Sequence, residues 1–470
     1  MTFQSFHFLV FFLAVLALNR ALQQHVQARK YMLLLANYYF YMCWDVRFCA
    51  VLAGITLVNH FAARRIAQAQ EARDRRLWLL LALTFSLGVL AYFKYANFLL
   101  ESTFALARSL HLPVNEPLLR IVQPVGISFF TFQALSYTLD VYRKQQPPSS
   151  SLLDYALFVS FFPTLLSGPI TRARDFLPQL STMRSTTPQD TQASEGLVLI
   201  LRGLVKKVLF ADLIALHIVN PAFESPGAYS PAFLVLALYG YTLQIYMDLS
   251  GYTDIARGVA KTLGFELPRN FDRPYLSSTL SNFWQRWHIS MSSFFRDYLF
   301  FSLGGSRHGN VYRNLLVTFI AIGAWHGAGW NFVLYGALHG GLVCLERARR
   351  ESRTASPSAG LWPVLRGVLF TFHFVVLTRL LFRADDLSAA GHYLQAAIAG
   401  AGTLAPFAPL AMAAMVLSTL LHLVPARWSE QGLKRLSALP PIVLGALIVA
   451  VVLGLEALSS GEAPFIYFEF

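Results

Sequence analysis

A long stretch without charged residues in the second half of the chain indicates whether the protein lies in water or in a membrane. From Leu315 to Val343 it reads L-L-V-T-F-I-A-I-G-A-W-H-G-A-G-W-N-F-V-L-Y-G-A-L-H-G-G-L-V. A helix needs about 20 predominantly apolar residues, or about 17 at the short end, to cross the hydrocarbon core of a bilayer. The stretch is therefore long enough to span a membrane.

Similar apolar runs recur along the whole chain. Of its 470 residues, 55% are hydrophobic and 13% are charged, whereas a soluble domain carries about 25% charged residues. We predict an all-α, multi-pass membrane protein that forms one domain over residues 1–470, with about eleven spanning helices. The further runs are Phe6–Leu18, Tyr31–Met42, Phe48–Ala63, Leu77–Phe93, Leu152–Leu166, Gly196–Val219, Pro231–Leu249, Pro363–Phe382, Leu404–Val424 and Pro440–Leu458.

The excess positive charge, formally +13, falls in short clusters between the apolar runs. Such clusters mark cytoplasmic loops and contact anionic lipid headgroups. They place the N-terminus outside the cytoplasm, and Phe6–Leu18 is predicted to be a retained membrane segment because it lacks a clear cleavage site. Nucleic-acid binding is not expected, since no recognised motif accompanies the charge. Two clusters are Arg64, Arg65, Arg73, Arg75 and Arg76, and Arg347, Arg349, Arg350 and Arg353.

Cysteine and histidine spacing indicates neither a disulfide framework nor a metal site. The cysteines form no C-x-x-C pair, and the histidines in the candidate regions lack the i, i+4 pairing of zinc ligands on a helix. The chain also lacks a P-loop and a G-x-S-x-G elbow, so nucleotide and serine hydrolysis have no support. The residues considered are Cys43, Cys49, Cys344, His288, His326 and His339.

A polar and aromatic block interrupts the apolar runs between Met247 and Arg313. Within it, Ser281–Leu303 is predicted to be one helix, since apolar and polar residues each recur at three- and four-residue steps. Such a helix either lines a tunnel or lies in the membrane interface, and the residues alone leave both open. The apolar face is Trp284, Trp287, Met291, Phe294 and Tyr298, and the polar face is Gln285, His288, Ser292 and Arg296.

His326 lies inside the uncharged stretch, in the string A-W-H-G-A-G-W. Ionisable residues at such depth are uncommon because burying a charge is costly. A neutral imidazole can take a proton from a hydroxyl group as a general base, and Gly327 and Gly329 leave room beside it. The alternative is a packing histidine between closely spaced helices. The residues alone support the two equally.

The last seven residues, from Pro464 to Phe470, read P-F-I-Y-F-E-F and follow the last apolar run. Aromatic side chains are enriched where a membrane meets water. We therefore predict that this tail is an interfacial aromatic anchor.

Seven strings follow one another between about Gln123 and Arg383. They are Q-P-V-G-I-S-F-F-T-F-Q-A-L-S-Y-T-L-D-V-Y-R from Gln123, F-F-P-T-L-L-S-G-P-I from Phe161, D-L-S-G-Y-T-D-I-A from Asp248, F-W-Q-R-W-H-I-S from Phe283, R-D-Y-L from Arg296, L-G-G-S-R from Leu303 and A-W-H-G-A from Ala324. In this order and spacing they resemble the membrane-bound O-acyltransferase family, in its bacterial branch that acetylates alginate and other exported polysaccharides.

The resemblance implies a helical toroid with a central tunnel, supplemented by short re-entrant or interfacial helices, in the bacterial inner membrane. It implies His326 as the essential histidine and His288 as the second active-site position. The donor would be cytoplasmic acetyl-CoA, the acceptor an exported polysaccharide, and a separate periplasmic acetyltransferase would be a partner. The residues expected to bind substrate are Trp287, Ser292, Arg296, Asp297, Trp325 and Tyr467.

The tail also resembles a tyrosine-containing motif that a small partner peptide supplies in the related teichoic-acid D-alanylation system. On that resemblance, Tyr467 is a candidate to carry the acyl group from donor to acceptor.

Three functions are weighed on these residues. The favoured one is an O-acetyltransferase in which His326 is the general base. The second is a transporter whose polar block lines a path for a saccharide or a lipid-linked precursor without acyl chemistry. The third is a passive scaffold of a secretion complex, which fits poorly with a polar face set among aromatic residues.

Overall fold

The computed structural model describes residues 1–112, 121–184, 190–352, 360–458, 461 and 463–466. Every named element in these residues is helical, and strand-like pairing there is limited to an isolated bridge between Tyr229 and Leu404. The chain divides into two compact units, residues 1–193 with 260–267, and residues 194–259 with 268–470. The predicted all-α class is therefore confirmed for the part of the chain that the structure describes.

The first unit has an aromatic core. The ring of Phe162 lies 5.5 Å from that of Phe40 and 5.3 Å from that of Phe11. Among its polar contacts, Lys30 forms an ion pair with Asp154 at 2.7 Å. Its helices are α1 Phe6–Ala21, α2 Val26–Met42, α3 Cys49–Gln68, α4 Ala72–Ser109, α5 Ile127–Tyr142, α6 Leu152–Ser160, α7 Phe162–Leu165 and α8 Ala173–Ser181.

The remaining helices begin at residue 190. They are α9 Asp190–Leu204, α10 Asn220–Glu224, α11 Pro231–Thr262, α12 Leu280–Arg286, α13 Ile289–Phe294, α14 Val311–His326, α15 Trp330–Glu351, α16 Leu361–Arg383, α17 Leu387–Ala399, α18 Pro409–Leu423, α19 Ala426–Ser437 and α20 Pro441–Leu458. Three segments wind as π-helix: Val205–Asp212, Ala215–Val219 and Phe295–Phe300. π-Helical turns are rare and occur often at functional sites.

Five helices in the described residues are long and apolar enough to cross a membrane. A sixth is added if α18 and α19, which meet at a bend of 102°, form one span. The protein is thus a multi-pass membrane protein, and the predicted number of about eleven spans stays a prediction. Several predicted runs are divided into shorter helices, so fewer single helices are long enough to cross a membrane. The five are Val46–Gln68, Ala72–Ser109, Pro231–Thr262, Leu361–Arg383 and Pro441–Leu458.

The stretch Leu315–Val343 is one such divided run, because it folds into a hairpin of α14 and α15 that breaks after His326. Glycines bring the two helices together at backbone distance. A Cβ atom on Gly336 would overlap the carbonyl oxygen of Phe319, and one on Gly323 would overlap that of Phe332. Small residues at helix contacts are typical of membrane proteins, where they permit close packing.

This contact can be tested with a pair of glycines on the same helix. The Gly336→Ala substitution will lower the thermal stability of the detergent-solubilised protein, because overpacking costs about 1–3 kcal/mol. A Cβ atom on Gly341 meets nothing within 4 Å, so Gly341→Ala will leave stability unchanged or raise it slightly. Equal melting temperatures for the two variants would contradict the close packing.

Candidate active site

His288 lies in a break between two short helices. The structure does not show the single helix predicted for Ser281–Leu303: α12 ends at Arg286, and α13 begins at Ile289. His288 has φ +45° and ψ +55°, which is the left-handed region that side chains other than glycine rarely adopt. The predicted polar face is therefore not continuous, and His288 points in a direction set by this turn.

A residue that the sequence did not single out, Asn270, supports the break. Its backbone carbonyl accepts a hydrogen bond from the Ile289 N–H at 2.9 Å. Its side-chain oxygen accepts bonds from the N–H and the hydroxyl of Ser290, at 3.0 and 2.9 Å. Backbone groups at a helix start have no partner within the helix. Asn270 satisfies them and so fixes the turn that carries His288.

The Asn270→Ala substitution will lower the rate of the acyl transfer that the sequence predicts about ten-fold or more, because misplacing a group at a reacting centre by about 1 Å can cost about 100-fold. Ser290→Ala is the matched control. It removes only the hydroxyl bond to Asn270 and keeps the backbone bond that fixes the turn. We expect its rate to stay within about two-fold of the unaltered protein. Initial rates at saturating donor measure both, and equal loss in the two variants would refute the supporting role.

His288 is 2% exposed and lies among aromatic rings. The indole of Trp325 meets its ring edge-on at 5.7 Å, and the ring of Phe271 lies at 6.0 Å. Burial lowers the pKa of His288 to about 3, since a low-dielectric environment disfavours the charged form. The imidazole is therefore neutral at physiological pH and suited to hydrogen bonding rather than to charge pairing.

His326 is the last residue of α14 and is also 2% exposed. Its ring lies 4.9 Å from the ring of Trp325 and 4.9 Å from that of Phe382, with Tyr335 at 6.3 Å. The indole of Trp325 thus contacts both His326 and His288. The structure brings the two predicted catalytic residues to the same tryptophan, within one unit.

Side chains engage both ring nitrogens of His339. The Trp284 indole N–H donates to Nδ1 at 3.2 Å, and Nε2 lies 2.9 Å from the Thr378 hydroxyl. That hydroxyl already donates to backbone carbonyls of α16, so Nε2 carries the proton and donates to it. His339 is therefore held as a neutral packing residue in a defined tautomer.

Arg379 is a second functional candidate that the sequence interpretation missed. It is 1% exposed, and its guanidinium lies 4.5 Å above the Trp287 ring and 5.3 Å from that of Phe382. Its Nη1 lies 3.5 Å from the Tyr335 hydroxyl. Phe382 and Tyr335 both contact His326 as well, so the cation lies one side chain away from the histidine. The available signal was an arginine near the end of the apolar run Pro363–Phe382, where a charge is costly and often functional.

A cavity of about 820 Å³ opens between α12, α13 and the α14–α15 hairpin. The predicted residues Ser292 and Arg296 line it, whereas Trp287 and Trp325 belong to the aromatic cluster around the histidines. Asp297 forms an ion pair with Arg296 at 2.8 Å. The polar and charged lining comprises Thr279, Ser281, Gln285, Ser292, Ser293, Arg296, Ser306, Thr318, Glu346, Arg347, Arg349 and Arg350. The basic side chains make this cavity suitable for an anionic ligand.

The described part of the C-terminal tail packs inside the second unit, to which it belongs. The N–H of Ile466 donates to Asp248 at 2.9 Å, and the carbonyl of Ala463 accepts a bond from Lys207 at 3.0 Å. The ring of Phe465 stacks on Tyr252 at 4.5 Å. Because Phe465 and Ile466 are buried within the protein, the predicted interfacial anchor is wrong for these residues. Their backbone groups form hydrogen bonds with side chains of the protein. A tail lying in the membrane interface would not have these specific partners. Tyr467 lies outside the described residues.

Lys207 is the centre of this tail contact. Its ammonium group lies 2.8 Å from a carboxylate oxygen of Asp212 and 3.0 Å from one of Asp248. All three side chains are at most 7% exposed. Asp248 opens the string D-L-S-G-Y-T-D, so part of that string binds the chain's own tail.

The two buried histidines, which contact one tryptophan, and the basic cavity thus lie in the same unit of this multi-pass membrane protein. The model of the membrane-bound O-acyltransferase family matches residues 101–359. The chain belongs to this family and is an acyltransferase.

Named relatives agree with this assignment. A probable alginate O-acetylase of Pseudomonas putida is 38% identical over 397 residues, which cover 83% of this chain and 79% of the relative. A peptidoglycan O-acetyltransferase of Helicobacter pylori is 36% identical over 387 residues, covering 77% and 72%. A teichoic acid D-alanyltransferase of Bacillus subtilis is 29% identical over 282 residues, covering 56% and 70%. These names have in common the transfer of an acyl group.

Proposed function

We propose that the protein is an inner-membrane O-acetyltransferase that moves an acetyl group from cytoplasmic acetyl-CoA toward an exported polysaccharide. The observation that carries the proposal is the contact of His326 and His288 with the same Trp325 side chain, in the unit that also holds the basic cavity. The sequence similarity to a probable alginate O-acetylase supports the choice of acetyl group and polymer.

The chemistry proposed for His326 is general-base catalysis. Its imidazole takes the proton of an acceptor hydroxyl as the hydroxyl oxygen attacks the thioester carbonyl. The tetrahedral oxyanion that results is stabilised by donors or positive charge nearby. His288 and Arg379 are the candidates for this role. The C–S bond then breaks, and CoA leaves as a thiolate that takes up the proton held by His326.

The basic cavity is the proposed entry for the donor. CoA carries several phosphate charges, and guanidinium groups bind phosphate through paired, charge-assisted hydrogen bonds. Arg296, Arg347, Arg349 and Arg350 line the cavity, with Arg296 58% exposed. The uncharged lining residues Phe319 and Ile322 are on α14, the helix that ends at His326. We propose that the phosphates stay near the arginines while the thioester extends along α14.

We further propose that Tyr467 receives the acetyl group and that a separate periplasmic acetyltransferase completes the transfer. The support is the docking of residues 463–466 on Asp248 and Lys207, which holds the residue before Tyr467 in the same unit as His326. A tyrosine hydroxyl is a suitable acceptor because its ester remains activated for a second transfer.

The function can be tested with purified protein and acetyl-CoA labelled in the acetyl group. We expect release of free CoA that depends on active protein, together with label on the protein or on an added polysaccharide. The Tyr467→Phe variant separates the two steps, since it will lose label on the protein if Tyr467 is the carrier. Saccharide flux into proteoliposomes without any acyl donor, and without CoA release, would instead favour the transporter.

A further inference from the structure

The helix α19 has a composition unlike that of its neighbours along the chain. Its sequence A-R-W-S-E-Q-G-L-K-R-L-S contains four charged residues in twelve. It is preceded by α18 and followed by α20, whose mean hydropathy of 2.5 is that of a membrane-spanning helix. Charged residues are strongly unfavourable in the hydrocarbon core, so α19 does not continue the apolar path of its neighbours.

The backbone turns sharply before α19. The axes of α18 and α19 meet at 102°, and Pro425 stands at the junction as the residue before the first turn of α19. If α18 crosses the membrane, a helix at nearly a right angle to it lies along the membrane surface. The α20 helix then returns into the apolar layer.

Residue spacing gives α19 two distinct outward faces. Arg427 and Lys434 are seven residues apart, two turns of helix, and so share one face. Trp428, Gly432 and Leu436 follow at four-residue steps on another face. Trp428 is 57% exposed and Leu436 is 40% exposed. A basic face beside an exposed tryptophan and leucine is the pattern of a helix that lies in the headgroup region of a bilayer.

Two polar contacts tie α19 to the rest of the protein. The Arg269 guanidinium forms an ion pair with Glu430 at 2.7 Å, and Arg202 Nη1 lies 3.5 Å from the Ser429 hydroxyl. These contacts engage the acidic residue of the helix. Arg427, Lys434 and Arg435 remain as exposed residues of like charge. Arg435 lies seven residues after Trp428 and so stands at the border between the basic and the apolar face.

We propose that α19 is a membrane-surface helix that binds anionic lipid headgroups through Arg427, Lys434 and Arg435, with Trp428 and Leu436 entering the acyl boundary. Each basic residue near an anionic membrane surface contributes favourable electrostatic free energy. The preference for anionic over neutral lipid therefore depends on these three basic side chains. The depth of α19 in the bilayer depends on Trp428 and Leu436.

The same region is connected to the aromatic cluster of the candidate active site. His422, near the end of α18, accepts a hydrogen bond from the Tyr275 N–H at 3.2 Å, and its ring lies 4.7 Å from Tyr246. Tyr275 and Tyr246 in turn contact Trp287. A lipid bound at α19 would therefore lie next to α18, the helix whose His422 contacts the aromatic cluster. The lipid proposal does not rest on the proposed function.

The test uses a fluorescent label on the apolar face. A Cβ atom on Gly432 meets nothing within 4 Å, so Gly432→Cys accepts a bimane label without a clash. The other thiols are removed by Cys43→Ser, Cys49→Ser and Cys344→Ser. The full-length protein is reconstituted in liposomes that contain brominated phosphatidylglycerol or brominated phosphatidylcholine at the same mole fraction, and quenching by the two lipids is compared.

We expect quenching at position 432 by the anionic lipid to exceed that by the zwitterionic lipid about two-fold or more, because the basic face enriches anionic lipid locally. Combining Arg427→Gln, Lys434→Gln and Arg435→Gln will make the two lipids equal while quenching itself persists. The matched control is Gly445→Cys on the exposed face of α20, where a Cβ atom also meets nothing within 4 Å. Its label will be quenched equally by both lipids.

Two outcomes would overturn the proposal. Equal quenching by both lipids at position 432 would show an interfacial helix without preference for anionic headgroups. Absence of quenching by either lipid there, with normal quenching at position 445, would show that another part of the protein or a partner protein covers this face. Size-exclusion profiles of each variant confirm that the compared proteins are folded.

Discussion

The His326→Gln variant will transfer acyl groups about 10²–10⁴-fold more slowly than the unaltered protein, the usual contribution of general acid–base catalysis. Glutamine keeps most of the volume and one hydrogen-bonding group, but its amide cannot accept the hydroxyl proton. The rings of Trp325 and Phe382, each 4.9 Å from the imidazole, will still pack against a side chain. Donor binding is therefore expected to remain within about two-fold, so that the loss falls on the chemical step.

The matched control for this prediction is His339→Gln, on the neighbouring helix α15. His339 is equally buried, and a glutamine amide can still accept from Trp284 and donate to Thr378. We expect its transfer rate to fall no more than about three-fold, since it loses packing rather than a reacting group. Label transfer from acetyl-CoA and equilibrium donor binding are measured for all three proteins. A His326→Gln protein that transfers label at the normal rate would remove His326 from the chemistry.

The second large effect concerns stability. Lys207→Met will destabilise the protein by about 3–5 kcal/mol, because removal of one partner leaves buried charges without compensation. The ammonium group of Lys207 lies between two carboxylates, those of Asp212 and Asp248. It also holds the Ala463 carbonyl of the tail, so the same substitution will expose residues 463–466 to limited proteolysis.

The adjacent lysine provides the control. Lys206 pairs with Asp254 at 2.7 Å, but Asp254 also receives two hydrogen bonds from Arg202. Lys206→Met leaves the Arg202–Asp254 pair in place, so no buried charge loses all its partners, and we expect a clearly smaller loss of stability than for Lys207→Met. Thermal unfolding in detergent compares the two variants. Equal losses would mean that Lys207 is not the centre of the tail contact.

The sequence predicted the helical class more reliably than the local backbone around the candidate histidines. An apolar run such as Leu315–Val343 indicates that the segment lies in the membrane, but it does not predict where a helix within the run ends. The hairpin that follows from the end after His326 brings Gly323 against Gly336, a contact between segments that no local pattern shows. The same reason explains the break at His288, since its stabilising partner Asn270 is eighteen positions away and no local pattern marks it.

The residues that the sequence interpretation missed are defined by distant partners. The sequence showed Arg379 as a charge in an apolar run, but its place beside Trp287 and Tyr335 is visible only in the fold. The tail was interpreted from its aromatic composition, whereas its position is decided by backbone groups that bind Asp248 and Lys207. Composition predicts the environment of a segment, and its binding partners come from the fold.

The left-handed backbone at His288 suggests a way to sort distant family members. A residue other than glycine costs about 1–3 kcal/mol in such a conformation, and glycine or asparagine would adopt it more easily. A histidine therefore persists at this turn only while selection maintains the imidazole. On the role proposed for His288, lineages that have lost the reaction are free to relax to glycine or asparagine and become more stable, so we expect the residue at this turn to separate active from inactive family members.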